Sequence, residues 1–196
     1  MRVLFCGVGA LGSHAATACR NAAVELVLLD GDRVESKNLR SQAFVRQSVG
    51  RNKAEALRLQ LSNFYGVRAG ALPVRLGTSN IATLGKGADL IVDCFDNAAS
   101  RRLLSSYAED ERIPLVHGGI SADGEFGLVR WDERFTADEE DTAGQATCDD
   151  GDHLPMILAV SAVLAQVVQE FAERGERRDV MVSRHATTTT WRQAAP

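Results

Sequence analysis

Gly7, Gly9 and Gly12 stand in the spacing G-x-G-x-x-G, between the apolar run Arg2–Cys6 and an Ala-rich stretch from Leu11 to Asn21. A strand that turns on glycine straight into a helix commits the chain to a parallel sheet, because the next strand must return by crossing over that helix. In such a turn the first glycine permits the tight bend and the second lets a phosphate approach the backbone. The third lets helix and strand pack closely. The exposed N–H groups at the positive helix end then favour an anion. Asp30 ends the next apolar run, Val24–Leu29, 18 residues after Gly12. A carboxylate there can accept hydrogen bonds from ribose hydroxyls, so a ribose-phosphate ligand is expected.

The rest of the chain keeps alternating. Lys53–Phe64 has Ala54, Leu57, Leu61 and Phe64 at helical spacing. Leu72–Leu76 reads as a third strand weakened by Pro73. Ala88–Cys94 reads as a fourth strand with a polar end, leading into a helix from Ala98 to about Glu109. Pro114–His117 is a fifth strand, and Gly124–Trp131, entered by a turn, is expected to run antiparallel. Val180–Trp191 supplies one or two closing strands. The expected fold is therefore α/β, a Rossmann-like, mostly parallel sheet with helices on both faces and antiparallel strands added toward the C-terminus. One domain over 1–196 is expected, with a long polar loop at 132–153.

The 196 residues are 45% apolar with net charge −4, which argues against a broad basic nucleic-acid surface but leaves room for one basic pocket. No nucleic-acid partner is expected. Leu154–Gln169 is uncharged but only 16 residues long, short of the about 20 needed for a membrane span. It reads as a buried or subunit-contact helix over 154–173, compatible with a homodimer. The four cysteines, Cys6, Cys19, Cys94 and Cys148, form no C-x-x-C pair, so a reducing cytoplasm is the expectation and no structural zinc is anticipated.

The run Asp30-Gly-Asp32-Arg-Val34, continuing through Asn38, Leu39, Arg40 and Gln42 to Gly50, Lys53 and Ala54, resembles the D-x-D-x-V-x-x-S-N-L-x-R-Q and G-x-x-K-A run of the ThiF/MoeB/HesA superfamily, the ubiquitin-activating-enzyme-like adenylyltransferases. Asp93-Cys-Phe-Asp96-Asn97 with Arg101 resembles that family's D-x-x-D-N-x-x-x-R. Pro114–Gly119, and Thr147-Cys148 ahead of an apolar helix, follow in the family's order. The resemblance implies an enzyme that binds ATP and Mg²⁺ and joins AMP to the C-terminal carboxylate of a small ubiquitin-like or sulfur-carrier protein ending in Gly-Gly.

It implies roles residue by residue. Lys53 and Arg40 would spread the charge of departing pyrophosphate. Asp96 would hold Mg²⁺ through carboxylate oxygen, with an N-cap for the helix at Ala98 as its structural alternative. Gly7, Gly9, Gly12, Asp30, Asp32, Asn38, Gln42, Lys53 and Asn97 would line the nucleotide. Counted back from Gln42, the family's arginine falls on Ser41, and Arg40 serves if the loop is one residue short. Many members carry an N-terminal helix that lends an arginine to the partner subunit, a contribution expected to be absent here or to come from elsewhere.

Cys148 is open between a nucleophile that receives the activated carrier, an inert thiol and, with His153, a metal ligand. Asp149, Asp150 and Asp152 beside it disfavour the thiolate. Cys6, Cys19 and Cys94 read as small core residues, and His14 and His117 as structural or pocket-lining. Two other functions compete: a non-catalytic nucleotide-binding partner or pseudo-enzyme of the same fold, and an NAD-dependent oxidoreductase, which shares the glycines and Asp30.

Overall fold

Residues 1–136 and 151–195 are described in the computed structural model of the chain. The elements are β1 (Arg2–Cys6), α1 (Ala10–Ala18), β2 (Glu25–Leu29), α2 (Lys53–Tyr65), β3 (Ala69–Leu72), α3 (Ile81–Leu84), β4 (Leu90–Asp93) and α4 (Ala98–Glu111). Then come β5 (Leu115–Ile120), β6 (Phe126–Trp131), α5 (Leu154–Arg174), β7 (Arg177–Ser183) and β8 (Thr187–Gln193). The strands form one sheet in the order β3-β2-β1-β4-β5-β6-β7-β8. The first five run parallel, and β6, β7 and β8 each pair antiparallel with their neighbour. This is the expected α/β architecture.

Successive strand residues point to opposite faces, so a strand covered on both sides must be apolar throughout. Val3, Phe5, Leu26, Leu28 and Val92 pack on the side that holds α1, α2 and α5. Leu4, Cys6, Val27, Leu29 and Ile91 pack on the opposite side, with Ile81 of α3 and Leu104 of α4. Parallel strands bring their C-terminal ends to one rim, and β1 lies centrally there between β2 and β4. The chain order reverses at β1, which opens the crevice where such folds place a ligand.

Two expectations change, and a third is narrowed. The third strand is Ala69–Leu72 rather than Leu72–Leu76, because Pro73 cannot donate to a ladder and ends the strand. The fifth strand continues through Gly118 and Gly119 to Ile120, where antiparallel pairing with Gly127 extends it. The apolar helix α5 is buried on one side only. Ile157, Val160, Leu164 and Val168 face the core, while Leu158 is 44% exposed and Ala159 and Ala162 face outward. The closing segment forms two strands.

Candidate active site

The glycine turn is shaped as its spacing implies. Gly7 adopts φ +83°, in the left-handed region that an L side chain rarely enters. A Cβ on Gly12 would lie 1.9 Å from the Gly7 carbonyl oxygen, so only glycine lets α1 approach the end of β1 this closely. A Cβ on Gly9 would meet nothing within 4 Å, and the backbone there opens toward the crevice. The first-turn N–H groups of α1 have no intrahelical acceptor and converge on the same place.

Asp30 fastens this turn to β2. Its Oδ2 accepts from the Val8 N–H at 2.9 Å and its Oδ1 from the Asp32 N–H at 2.8 Å. Burial pushes its pKa up, opposed by those two hydrogen bonds and by Lys53. Lys53 opens α2, and it is 9% exposed rather than a solvated surface cation. Its N–H donates to the Asp32 carbonyl at 2.8 Å, and its Nζ lies 3.8 Å from Asp32 Oδ2. Asn52, the N-cap of α2, donates from Nδ2 to the carbonyls of Asp30 and Asp32 and so ties the acidic turn to the helix that carries Lys53. Arg75 completes the clamp by donating to Asp32 Oδ1 at 3.0 Å. Sequence reasoning passed over Arg75, which follows an irregular strand end and belongs to no motif.

The segment after this turn is more structural than expected. Asn38 is buried and its Oδ1 accepts from the Glu35 N–H at 2.9 Å, capping a 3₁₀ turn over Ser36–Arg40. Arg40 is exposed, and Gly151 packs against its backbone. Ser41, on the family's arginine position, is buried, and His14 Nε2 donates to its carbonyl at 3.1 Å. Ser41 Oγ and Gln42 Oε1 are buried and bond to no protein atom among the described residues. Such orphaned atoms ask for a ligand or water. A nucleotide fits this corner on three grounds: the open Gly9 backbone, the buried Lys53 cation and these two polar atoms.

The loop after β4 lies against the glycine turn. A Cβ on Gly7 would sit 3.0–3.1 Å from atoms of Phe95 and Cys94. Asn97 caps α4, its Oδ1 accepting from the Ser100 N–H at 2.9 Å. Asp96 therefore has no capping duty, contrary to its structural alternative, and is exposed at the mouth of the crevice. Among the described residues its carboxylate has no hydrogen-bond or ion-pair partner, and a carboxylate so placed suits a hard cation such as Mg²⁺. Beneath it lies a buried polar cluster that the sequence did not bring together. His117 Nδ1 donates to Asp93 Oδ2 and His117 Nε2 to Asp132 Oδ1, both at 2.8 Å. Arg101 donates to the Phe95 carbonyl at 2.6–2.8 Å and to the Gly118 carbonyl at 3.0 Å.

Burial pushes the thiols of Cys6, Cys19 and Cys94 up, that of Cys19 to about 12, so none of the three supplies a thiolate. Cys148 lies outside the described residues. A cavity of about 540 Å³ opens beside the site, between Gly31, Arg33, Asn52 and Arg58. None of the three loop glycines, Lys53 or Asp96 lines it.

A glycine-turn crevice at a topological switch point, with a buried aspartate and a buried lysine beside it, has the form of a nucleotide-binding α/β fold. The profile of the ThiF family matches residues 1–174, and the chain belongs to that family. It is 36% identical over 122 residues to a SAMP-activating enzyme E1 of Haloferax volcanii, a match covering 61% of this chain and 45% of that protein. It is 34% identical over 138 residues to the adenylyltransferase and sulfurtransferase MOCS3 of Caenorhabditis briggsae, covering 68% of this chain and 32% of that protein. The chain thus matches less than half the length of these relatives. Escherichia coli MccB, in a crystal structure with ATP, shares the fold with a TM-score of 0.76 at 16% identity, over 98% of this chain and 62% of that one.

Proposed function

We propose that the chain is an ATP-dependent adenylyltransferase that activates the C-terminal carboxylate of a small ubiquitin-like or sulfur-carrier protein ending in Gly-Gly. The observation that carries this reading is the meeting of the glycine turn, Asp30, buried Lys53 and exposed Asp96 at one rim of the sheet, in a chain of this family. The carrier carboxylate oxygen attacks the α-phosphorus of ATP, the bond to pyrophosphate breaks, and an acyl-adenylate results. Asp30 holds the ribose, and the open backbone at Gly9 cradles the phosphates. Lys53, kept dry and oriented by Asp32, offsets the negative charge that grows toward the leaving pyrophosphate. Mg²⁺ held by Asp96 would neutralise phosphate charge when bound. Arg40 extends toward solvent, where it can meet an incoming phosphate or carrier. Cys148 would take the activated carrier in a second step, its sulfur attacking the acyl carbon to form a thioester as AMP leaves. The outward face of α5, with Leu158, Ala159 and Ala162, suits a homodimer contact.

Exchange of labelled pyrophosphate into ATP, assayed with candidate small proteins ending in Gly-Gly, tests this reading. We expect carrier-dependent exchange that Asp96→Asn and Lys53→Ala each reduce by about 10²-fold or more, the effect of removing one preorganised charge from a transition state. ATP binding without exchange under any carrier favours the non-catalytic partner instead, and NAD bound more tightly than ATP favours an oxidoreductase. For Cys148, a hydroxylamine-sensitive or reducible carrier adduct that is absent in Cys148→Ser supports the second step.

A further inference from the structure

His117 lies in the middle of β5, is fully buried, and serves no role in the reaction as described so far. Both of its ring nitrogens face carboxylates, Asp93 from β4 and Asp132 just after β6. Ionised carboxylates only accept hydrogen bonds, so both nitrogens donate and the ring carries a positive charge. Arg101 Nε lies 3.7 Å from Asp93 Oδ2. The fully buried Asp93 and the partly exposed Asp132 are thereby matched by two cations, the condition under which burying ions is tolerable. Phe135 stacks on the imidazole at 3.9 Å and 14°, and Arg101 lies over the Phe135 ring at 5.4 Å, closing the cluster from above.

This cluster is the foundation of the Asp96 turn. The second oxygen of Asp93 accepts from the Phe95 N–H at 3.0 Å, while Arg101 grips the Phe95 carbonyl, so the residue before Asp96 is held at both of its backbone polar groups. The other oxygen of Asp93 is held by His117 at 2.8 Å, with Arg101 Nε further off at 3.7 Å. Through Nε2 the same ring fixes Asp132, which also accepts from Ser105 Oγ of α4 at 2.6 Å. The helix that follows the Asp96 turn is thus anchored to the same imidazole.

We propose that His117 is a positioning residue for Asp96, setting through Asp93 and Arg101 the turn from which the Asp96 carboxylate meets a magnesium-bound nucleotide. The inference rests on the adenylation reading only for the ligand that Asp96 meets. Calorimetric titration of ATP into the full chain, with and without Mg²⁺, tests it in the wild type, Asp96→Asn and His117→Gln. We expect His117→Gln to weaken magnesium-ATP binding by about tenfold, the scale of one charge-assisted hydrogen bond, while metal-free ATP binds nearly as before. Asp96→Asn changes binding in the same direction. A merely structural role would weaken both forms of ATP alike.

His117→Gln sets two carboxylates around one neutral amide. If it does not fold, the double variant with Asp132→Asn restores the charge balance and takes its place in the titration. A magnesium dependence equal to the wild type's in the variant that folds overturns the proposal. A neutral His117 ring in the wild-type ¹⁵N spectrum near pH 6 also overturns it, whichever variants fold, and a doubly protonated ring supports it. Absence of carrier-dependent exchange alongside the expected magnesium effect defeats the proposed activity and leaves the positioning role standing. Wild-type ATP binding that is indifferent to Mg²⁺ defeats the positioning role itself.

Discussion

A buried imidazole held at both nitrogens makes the stability of this protein depend on pH in a defined sense. Burial alone would lower the pKa of His117, but the hydrogen bonds and charges of Asp132 and Asp93 outweigh it and raise the value above the ordinary 6.5. The folded chain then binds a proton that the unfolded chain releases, so this contribution is full below 6.5 and is lost as pH rises through the folded value. For Asp132, burial raises the pKa but the bonds from His117 and Ser105 prevail and lower it from 3.8, so its contribution is full above 3.8 and is lost as pH falls through the folded value. The difference in melting temperature between wild type and His117→Gln should be widest between these two ordinary values and shrink at alkaline pH. Thermal melts across the range check this, and a difference that grows above pH 8 contradicts it. None of this could be read along the chain. Asp93, His117 and Asp132 are separated by 24 and 15 residues, and only the pairing of β4 with β5 and of β5 with β6 brings them together. Asp30, Lys53 and the three glycines were legible because each stands in a recognisable run of residues, although the contacts of Asp30 with Val8 and of Lys53 with Asp32 also join distant parts of the chain.

At the scale of elements, local signals did well where they were strong and failed where they were thin. The glycine turn, the parallel strands and α5 follow from apolar runs and helical spacing. The edge strand β3, Ala-Gly-Ala-Leu, has almost no β-branched or aromatic content, so its pattern misled until pairing with β2 fixed it. One element end remains imperfect. α4 terminates with Arg112 in the left-handed conformation at φ 56°, the sole non-glycine residue with positive φ among the described residues. That position is normally glycine, because a Cβ there crowds the backbone. Arg112 is exposed, and its N–H bonds to the Ala108 and Glu109 carbonyls survive substitution. Arg112→Gly should therefore stabilise the fold by up to about 1 kcal/mol, or about 2–4 °C in melting temperature for a chain of this size. Differential scanning calorimetry reads the sign, and a loss of stability would show that the Arg112 side chain contributes more than its strain costs.

Taken whole, the molecule is acidic, yet residues 31–75 carry nine lysines and arginines against three acidic residues. The net charge hides a basic quarter around the Asp30 turn and α2, so composition alone understates how strongly this end of the sheet attracts anions. Association with a polyanionic ligand should accordingly slow as salt is added, and stopped-flow rates between about 50 and 300 mM salt would reveal it. The sheet that joins the two halves is open, with β3 at one margin and β8 at the other. An unpaired margin is a template on which another chain can add a strand. β3 is four residues long and is followed at once by Pro73, which leaves little to copy. β8 is longer and its Thr187–Thr190 stretch is exposed, but its register with β7 shifts at Asp179/Val180, which twists it away from a flat edge. Its hydroxyls keep that margin wetted, where valines of nearly the same shape would make it adhesive. Thr188→Val with Thr190→Val should leave melting unchanged and increase light scattering on standing, so the safeguard against fibre-like self-association rests on a few oxygen atoms.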